Sequence, residues 1–153
     1  MPDVRIRRAG PDDALIVAAL QLQSARDLGH AGEPGFLDRF ADAWLASRSE
    51  HPTWIAESHG EHAGFLSARR LRPLPFPGRP DASWLYVGTV FVAPAHRKRG
   101  IGRALMEGML EWCRTTDVKW VRLNVGTSQH EFYQALGFRP ARTILEYDLR
   151  DGS

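Results

Sequence analysis

The chain of 153 residues reads as a single α/β domain spanning residues 1–153. Three observations predict that class. Short stretches of period-two alternation or continuous apolar character, such as Val4 to Arg7 and Val87 to Val92, have the length and pattern of strands. Between them lie segments with apolar residues at helical spacing, as in Leu105, Met109 and Trp112. Hydrophobic residues make up 43% of the chain, and a domain of this size buries roughly 70% of its unfolded surface around one core without staples.

Val4-Arg5-Ile6-Arg7 alternates and forms the first strand. Pro11 suits a first helical turn, Asp12 and Asp13 complement the helix dipole, and Leu15, Ala18, Ala19 and Leu22 make the apolar stripe of a helix that ends near Arg26-Asp27. Gly29 to Gly35 is too rich in Gly and Pro to continue it and reads as a loop. A second helix runs from about Phe36 to Ala46, with Leu37, Phe40, Ala41, Trp44 and Leu45 on one face. Thr53 to Glu57 and Ala63 to Ala68 pair as a hairpin through His59-Gly60. Prolines 73, 75, 77 and 80 lack ladder donors, so this stretch is a long stiff loop of the kind that covers sites. Trp84 to Val92 is the next strand, where Gly88 marks a bulge or a close backbone approach. A third helix covers about Gly102 to Thr115, followed by a strand from Lys119 to Val125. Ser128 with Glu131 predicts a capping box at the start of a short helix that stops before Gly137, and Thr143 to Leu149 alternates as a last strand.

The segment from Val87 to Leu105 carries the most chemistry. An apolar strand gives way through Ala93-Pro94-Ala95-His96 to Arg97-Lys98-Arg99-Gly100-Ile101-Gly102-Arg103 and a helix. The first turn of a helix offers N–H groups without partners, and glycines without Cβ atoms let a phosphate approach them. A dinucleotide fingerprint fails because Leu105 stands where Gly or Ala is needed, and a Walker A loop fails because the chain has no Gly-Lys pair. What remains is R-x-x-G-x-G, met by Arg97, Gly100 and Gly102, with a ligand-free glycine turn as the competing account. This pattern resembles the coenzyme A loop of the GCN5-related N-acetyltransferases (GNAT superfamily). Phe132-Tyr133-Gln134-Ala135-Leu136-Gly137-Phe138 is similar to a second segment of that family, F-Y-x-x-x-G-F, and follows at the expected separation.

The resemblance implies a GNAT acyl-CoA N-acyltransferase fold: a mixed central sheet of six to seven strands with about four helices. It also implies acetyl-CoA as acyl donor, with its pyrophosphate held by Arg97, Lys98, Arg99, Gly100, Ile101, Gly102 and Arg103, and its pantetheine arm between splayed strands near Val90 and Val125. Main-chain groups of Val90, Phe91 and Val92 would bind the arm and polarise the acetyl carbonyl, Ser128 would contact the cofactor, and Tyr133 would protonate the departing thiolate. A packed aromatic is the alternative for Tyr133. A small-molecule or peptide amine attacks the thioester directly, and a homodimer is expected. Two departures stand out: Ser83 to Val92 contains no carboxylate where many relatives carry a Glu base, and Gly126-Thr127-Ser128 replaces a frequent Asn, with Asn124 nearby.

The absent base can be weighed. A lysine amine costs roughly 4.6 kcal/mol to deprotonate at pH 7, whereas an α-amine near 7.8 costs about 1 kcal/mol. An amine of lowered pKa is therefore the expected acceptor, unless Glu33, His30 or Asp81 enters from a loop. A catalytically silent acyl-CoA-binding regulatory module is the alternative. With 20 Lys and Arg against 18 Asp and Glu, the net charge of +2 gives no reason to expect nucleic acid. No segment reads as a signal peptide or a membrane span, and no histidine set has metal-ligand spacing. The lone Cys113 sits in a helical pattern as a core residue, compatible with a reducing, cytoplasmic setting. Trp44, Trp54 and Trp84 are candidates for the acceptor cleft or the core.

Overall fold

The computed structural model describes residues 3–151; the ends of the expected 1–153 domain, residues 1, 2, 152 and 153, lie outside the described residues. The elements are β1 (Val4–Arg8), α1 (Ala14–Asp27), α2 (Phe36–Ala46), β2 (Thr53–Ser58), β3 (Glu61–Leu71), β4 (Ser83–Val92), α3 (Ile101–Arg114), β5 (Val118–Leu123) and α4 (His130–Ala135). The sheet order is β1-β2-β3-β4-β5. The first four strands are antiparallel neighbours, and β5 joins β4 in parallel, which makes the sheet mixed.

The β2–β3 turn is built by His59 (φ 52°) and Gly60 (φ 76°), the two left-handed residues that a tight hairpin turn requires. Alternation then sends Trp54, Ala56, Leu66 and Ala68 to one face, where α3 packs with Ile101, Leu105, Met106, Met109 and Cys113. Ile55, Phe65 and Phe91 point to the other face, beneath α1 and α2. Both faces of the sheet are covered, so β2 is buried almost continuously instead of alternating with solvent. Burial pushes the Cys113 thiol up to about 11, which keeps it a neutral core side chain.

Gly88 is the residue of β4 left out of the ladder, because Ser67 pairs with Thr89 and Ala68 with Val87. The predicted bulge is there. Its effect is to re-aim the second half of β4.

Several expectations are corrected. Among the described residues the sheet has five strands, not six to seven, since Thr143–Leu149 alternates but forms no ladder. Alternation supplies a pattern, and a strand also needs a partner edge and a face to bury. Here Leu145, Tyr147 and Leu149 stay exposed. The capping box does not form: a 3-10 turn at Thr127–Gln129 precedes α4, Gln129 takes the cap position, and no side chain caps the helix. The buried arc of α1 is Ala14, Val17, Ala18, Leu20 and Ser24, with Leu15 exposed, because α1 packs on both β3 and α2. The three tryptophans serve the fold. Trp44 donates to Thr53 Oγ1 (3.1 Å), Trp54 meets Trp112 edge-on, and Trp84 lies under the Arg122 guanidinium.

Candidate active site

Strands β4 and β5 part company halfway. Their pairing runs from Ser83 opposite Val118 to Val87 opposite Leu123, and there β5 ends while β4 continues to Val92. The second half of β4 keeps β3 on one side, with Gly64 opposite Val92 and Phe65 opposite Phe91, and has no strand on the other. Its main-chain groups on that edge face a cleft of about 700 Å³, lined by Val87 to Val92, by Leu123 and Asn124 after the split, by Gln129 and Tyr133, and by Gln21, Ser24, Asp27 and His30 of the α1 end. Unpaired backbone donors and acceptors need partners, and a ligand with amide groups is one source.

At the mouth of the cleft the chain turns into α3. Lys98 (φ 64°) and Gly100 (φ 78°) both adopt left-handed backbone, and Gly100 is the helix cap. Glycine has no side chain with which to cap, and the first turn carries no acid, so the N–H groups of Ile101, Gly102 and Arg103 are free for an anion. Gly102 shows what the bare surface serves: a Cβ there would meet Phe132 and Val92 at 3.8 and 3.9 Å, which is ordinary contact. Nothing inside the protein demands glycine at that position. Arg97, Lys98, Gly100, Ile101, Gly102 and Arg103 together border a cavity of about 210 Å³. The loop is anchored from below by buried His96, whose Nε2–H donates to Glu61 Oε2 (2.9 Å), leaving Nδ1 to face Arg99 Nη1 at 3.4 Å.

Arg97 does not stand free beside the loop. Its Nε donates to the Val92 carbonyl (2.9 Å) and its Nη2 to Asp27 Oδ2 (2.7 Å), so it clasps the end of α1 to the open half of β4. Tyr133 reaches the cleft from α4, held edge-on by Phe132 (4.9 Å) and Phe138 (5.7 Å). Partial burial raises its phenol above the usual range, which keeps the proton on oxygen through neutral pH. The helix closes with Gly137 (φ 100°): Phe138 N–H donates to the Tyr133 carbonyl and Gly137 N–H to that of Gln134, a Schellman end. The Gly-Phe pair thus fixes the turn that carries Tyr133.

Of the sequence-predicted residues, Val90, Phe91, Val92, Arg97 and Tyr133 line one cleft, and Lys98, Gly100, Ile101, Gly102 and Arg103 lie at its adjoining cavity. Arg99 borders neither and sits against His96, and Ser128 borders neither, its neighbour Gln129 lining the cleft instead. Val125 lies outside the cleft lining, where Leu123 and Asn124 stand. Glu33 is ion-paired with Arg39, and Asp81 is exposed away from the cleft, as is the whole proline-rich loop. Sequence reasoning missed Gln21, Ser24 and Asp27. Asp27 and Arg97 are 70 residues apart, and no spacing rule connects them.

Comparison with known proteins bears on the same segments. The Acetyltransferase (GNAT) family profile matches residues 18–138. An uncharacterised N-acetyltransferase of Archaeoglobus fulgidus is 28% identical over 96% of this chain and 93% of its own length. N-acetyltransferase family 8 member 2 of Rattus norvegicus is 34% identical, but over only 56% of this chain and 38% of that protein, and an uncharacterised N-acetyltransferase of Methanocaldococcus jannaschii is 27% identical over 66% of this chain. The match spans 45% of the length of the Methanocaldococcus protein. In fold, the chain superposes on a predicted acetyltransferase with acetyl-CoA from Clostridium acetobutylicum with a TM-score of 0.76 at 15% identity, covering 97% of each chain. An aminoglycoside acetyltransferase from an uncultured soil metagenomic sample gives a TM-score of 0.70 at 22% identity, over 95% of this chain and 96% of the other. With a split fourth strand, an uncapped helix behind a basic glycine turn and a profile match across residues 18–138, the chain belongs to the acetyltransferase (GNAT) family.

Proposed function

We propose that the protein transfers the acetyl group of acetyl-CoA to a primary amine, either a small molecule or a peptide α-amine. The observation that carries this is the half-unpaired β4 beside an uncapped helix start, because the two together fit an extended donor with amides at one end and a pyrophosphate at the other. The free N–H groups from Ile101 to Arg103, with Lys98 and Arg103, hold the pyrophosphate. Arg97 is tied to Asp27 and Val92, so the phosphates rely less on it than on the main chain. The open edge of Val90, Phe91 and Val92 takes the pantetheine amides and polarises the acetyl carbonyl.

The amine attacks that carbonyl, the C–N bond forms as the C–S bond breaks, and the Tyr133 phenol protonates the leaving thiolate. The neighbour from Clostridium acetobutylicum, whose structure is described with acetyl-CoA, supports the donor. Among the described residues no helix is long and apolar enough to cross a membrane. A cytoplasmic setting and a homodimer belong to the same proposal. Acetyl-CoA consumption across an amine panel, for wild type and Tyr133→Phe, tests it. Turnover with at least one amine and a 10²- to 10⁴-fold lower kcat in the variant, roughly the contribution of a general acid, is expected. Tight acetyl-CoA binding with no turnover on any amine favours the silent regulatory module instead, for which the carboxylate-free β4 is the argument.

A further inference from the structure

The cleft needs a group to take a proton from the acceptor, and β4 supplies none: Ser83–Val92 contains no Asp, Glu or His. Among the described residues, the titratable groups that line the cleft are Asp27 and His30 from the α1 end, Arg97 from the basic loop and Tyr133 from α4. Three of these are committed. Asp27 accepts from Arg97 Nη2 at 2.7 Å, Arg97 is a permanent cation, and the Tyr133 phenol is kept protonated by burial. We infer that His30 is the general base of this enzyme, set at the carbonyl end of α1 opposite the Tyr133 wall.

The placement of His30 is not that of a loose loop residue. Gly29 (φ 89°) ends α1 in a Schellman motif, with the His30 N–H donating to the Ala25 carbonyl (2.9 Å) and the Gly29 N–H to that of Arg26 (2.9 Å). The same geometry ends α4 at Gly137. His30 on the α1 wall and Tyr133 on the α4 wall are thus both held by helix ends of fixed shape. The Asp27–Arg97 clasp holds that end of α1 against β4 and acts as a positioning contact.

The protons balance. An acceptor ammonium gives one proton to His30 and becomes nucleophilic, and the C–N bond forms as the thiolate leaves. Tyr133 protonates the thiolate, and the second amine proton returns to the phenolate through solvent. One proton remains on His30 and is released to water. Imidazole changes charge between pH 5 and 8, so it serves an α-amine near 7.8 with a small gap and a lysine near 10.4 with a large one. Substrate choice falls on amines of lowered pKa.

Because this rests on acetyl transfer to an amine, the test separates the two. Rates are measured from pH 5 to 9 with an α-amine substrate for wild type, His30→Gln, His30→Ala and Tyr133→Phe, and acetyl-CoA affinity is measured for each. The expected result is a kcat about 10²-fold lower or more in both His30 variants, loss of the acid limb of the pH profile, unchanged acetyl-CoA affinity, and partial rescue of His30→Ala by added imidazole. If the His30 variants keep the rate and the limb while Tyr133→Phe is slow, acetyl transfer stands and His30 is not its base. If wild type binds acetyl-CoA and acetylates nothing, acetyl transfer fails and His30 with it.

Discussion

The two halves of β4 are made of similar residues and meet opposite fates. Trp84–Val87 is paired on both sides, and this half is locked at its start, where the Ser83 hydroxyl donates to Asp117 (2.7 Å) and Arg70 and Arg72 converge on the same carboxylate. Thr89–Val92 is paired on one side only and gives its other edge to the cleft. Composition does not separate them, since both halves are apolar and β-prone. The neighbour does: β5 stops at Leu123, and the Gly88 bulge has by then changed the direction of β4. The proposed acyl-donor site is thus a place where pairing ends within a strand whose other edge is held firmly.

How firmly is tested by Gly64, which lies opposite Val92 in the open half. A Cβ there would come 2.4 Å from the Phe91 carbonyl oxygen and 3.1 Å from Val92 Cα, both main-chain atoms that cannot swing aside. Gly64→Ala therefore forces β3 and β4 apart. Overpacking of this kind costs about 1–3 kcal/mol, and the upper end applies here because no side chain can give way. The expected loss in Tm is roughly 5–10 °C, with weaker acetyl-CoA binding because Phe91 and Val92 shift. Differential scanning calorimetry reads the first and a thioester titration the second. A variant as stable as wild type would show that the open half is not held by this close approach.

The closed half responds to a charge change. Asp117 is held well below the usual carboxylate range, first by the Ser83 hydroxyl, then by Arg70 and Arg72. A carboxyl depressed in the folded state stabilises fully above its unfolded value, near 3.9, and loses that effect as pH falls through the lower folded value. Asp117→Asn should lower the Tm by a few degrees at pH 7, less than Gly64→Ala does. The gap from wild type should narrow steadily below pH 4. Urea midpoints across pH 2.5 to 7 check this. A gap that widens in acid would mean that the carboxylate is not what joins β3, β4 and β5. Because the lock lies at the far end of β4, acetyl-CoA affinity should change little, which separates this half from the other.

What could be read from the sequence divides along the same line. The basic glycine turn, the strand before it and the Tyr-to-Gly-Phe segment are contiguous, and their physics is local: free helix N–H groups, a bulge glycine, a Schellman end. The close approach at Gly64, opposite Val92, was not read from the sequence and emerges only from the β3–β4 register. The α1 wall of the cleft was not legible either. Gln21, Ser24 and Asp27 reach the cleft only because α1 docks across β3 and β4, and helical periodicity taken alone put Leu15 and Leu22 on the buried face instead. The sixth strand failed for a related reason, because Thr143 to Leu149 has the pattern while the pairing depends on what lies next to it.

The smallest effect is expected at Gly102, and its sign is what informs. Gly102 lies in the first turn of α3, where glycine is unfavourable relative to alanine by roughly 0.5–1 kcal/mol. The nearest side chains would leave a Cβ in ordinary contact, at 3.8 Å from Phe132 and 3.9 Å from Val92. Gly102→Ala should therefore raise the Tm of the free protein by about 1–3 °C. The same methyl group stands where the proposed pyrophosphate would meet the helix N–H groups, so acetyl-CoA should stabilise the variant less than it stabilises wild type. Thermal scans with and without acetyl-CoA give both numbers from one sample. Gly64 and Gly102 then separate two uses of a missing side chain: at one position the fold itself requires the space, and at the other only the ligand does. A Gly102→Ala protein that is more stable and is equally stabilised by acetyl-CoA would remove the ligand from that account.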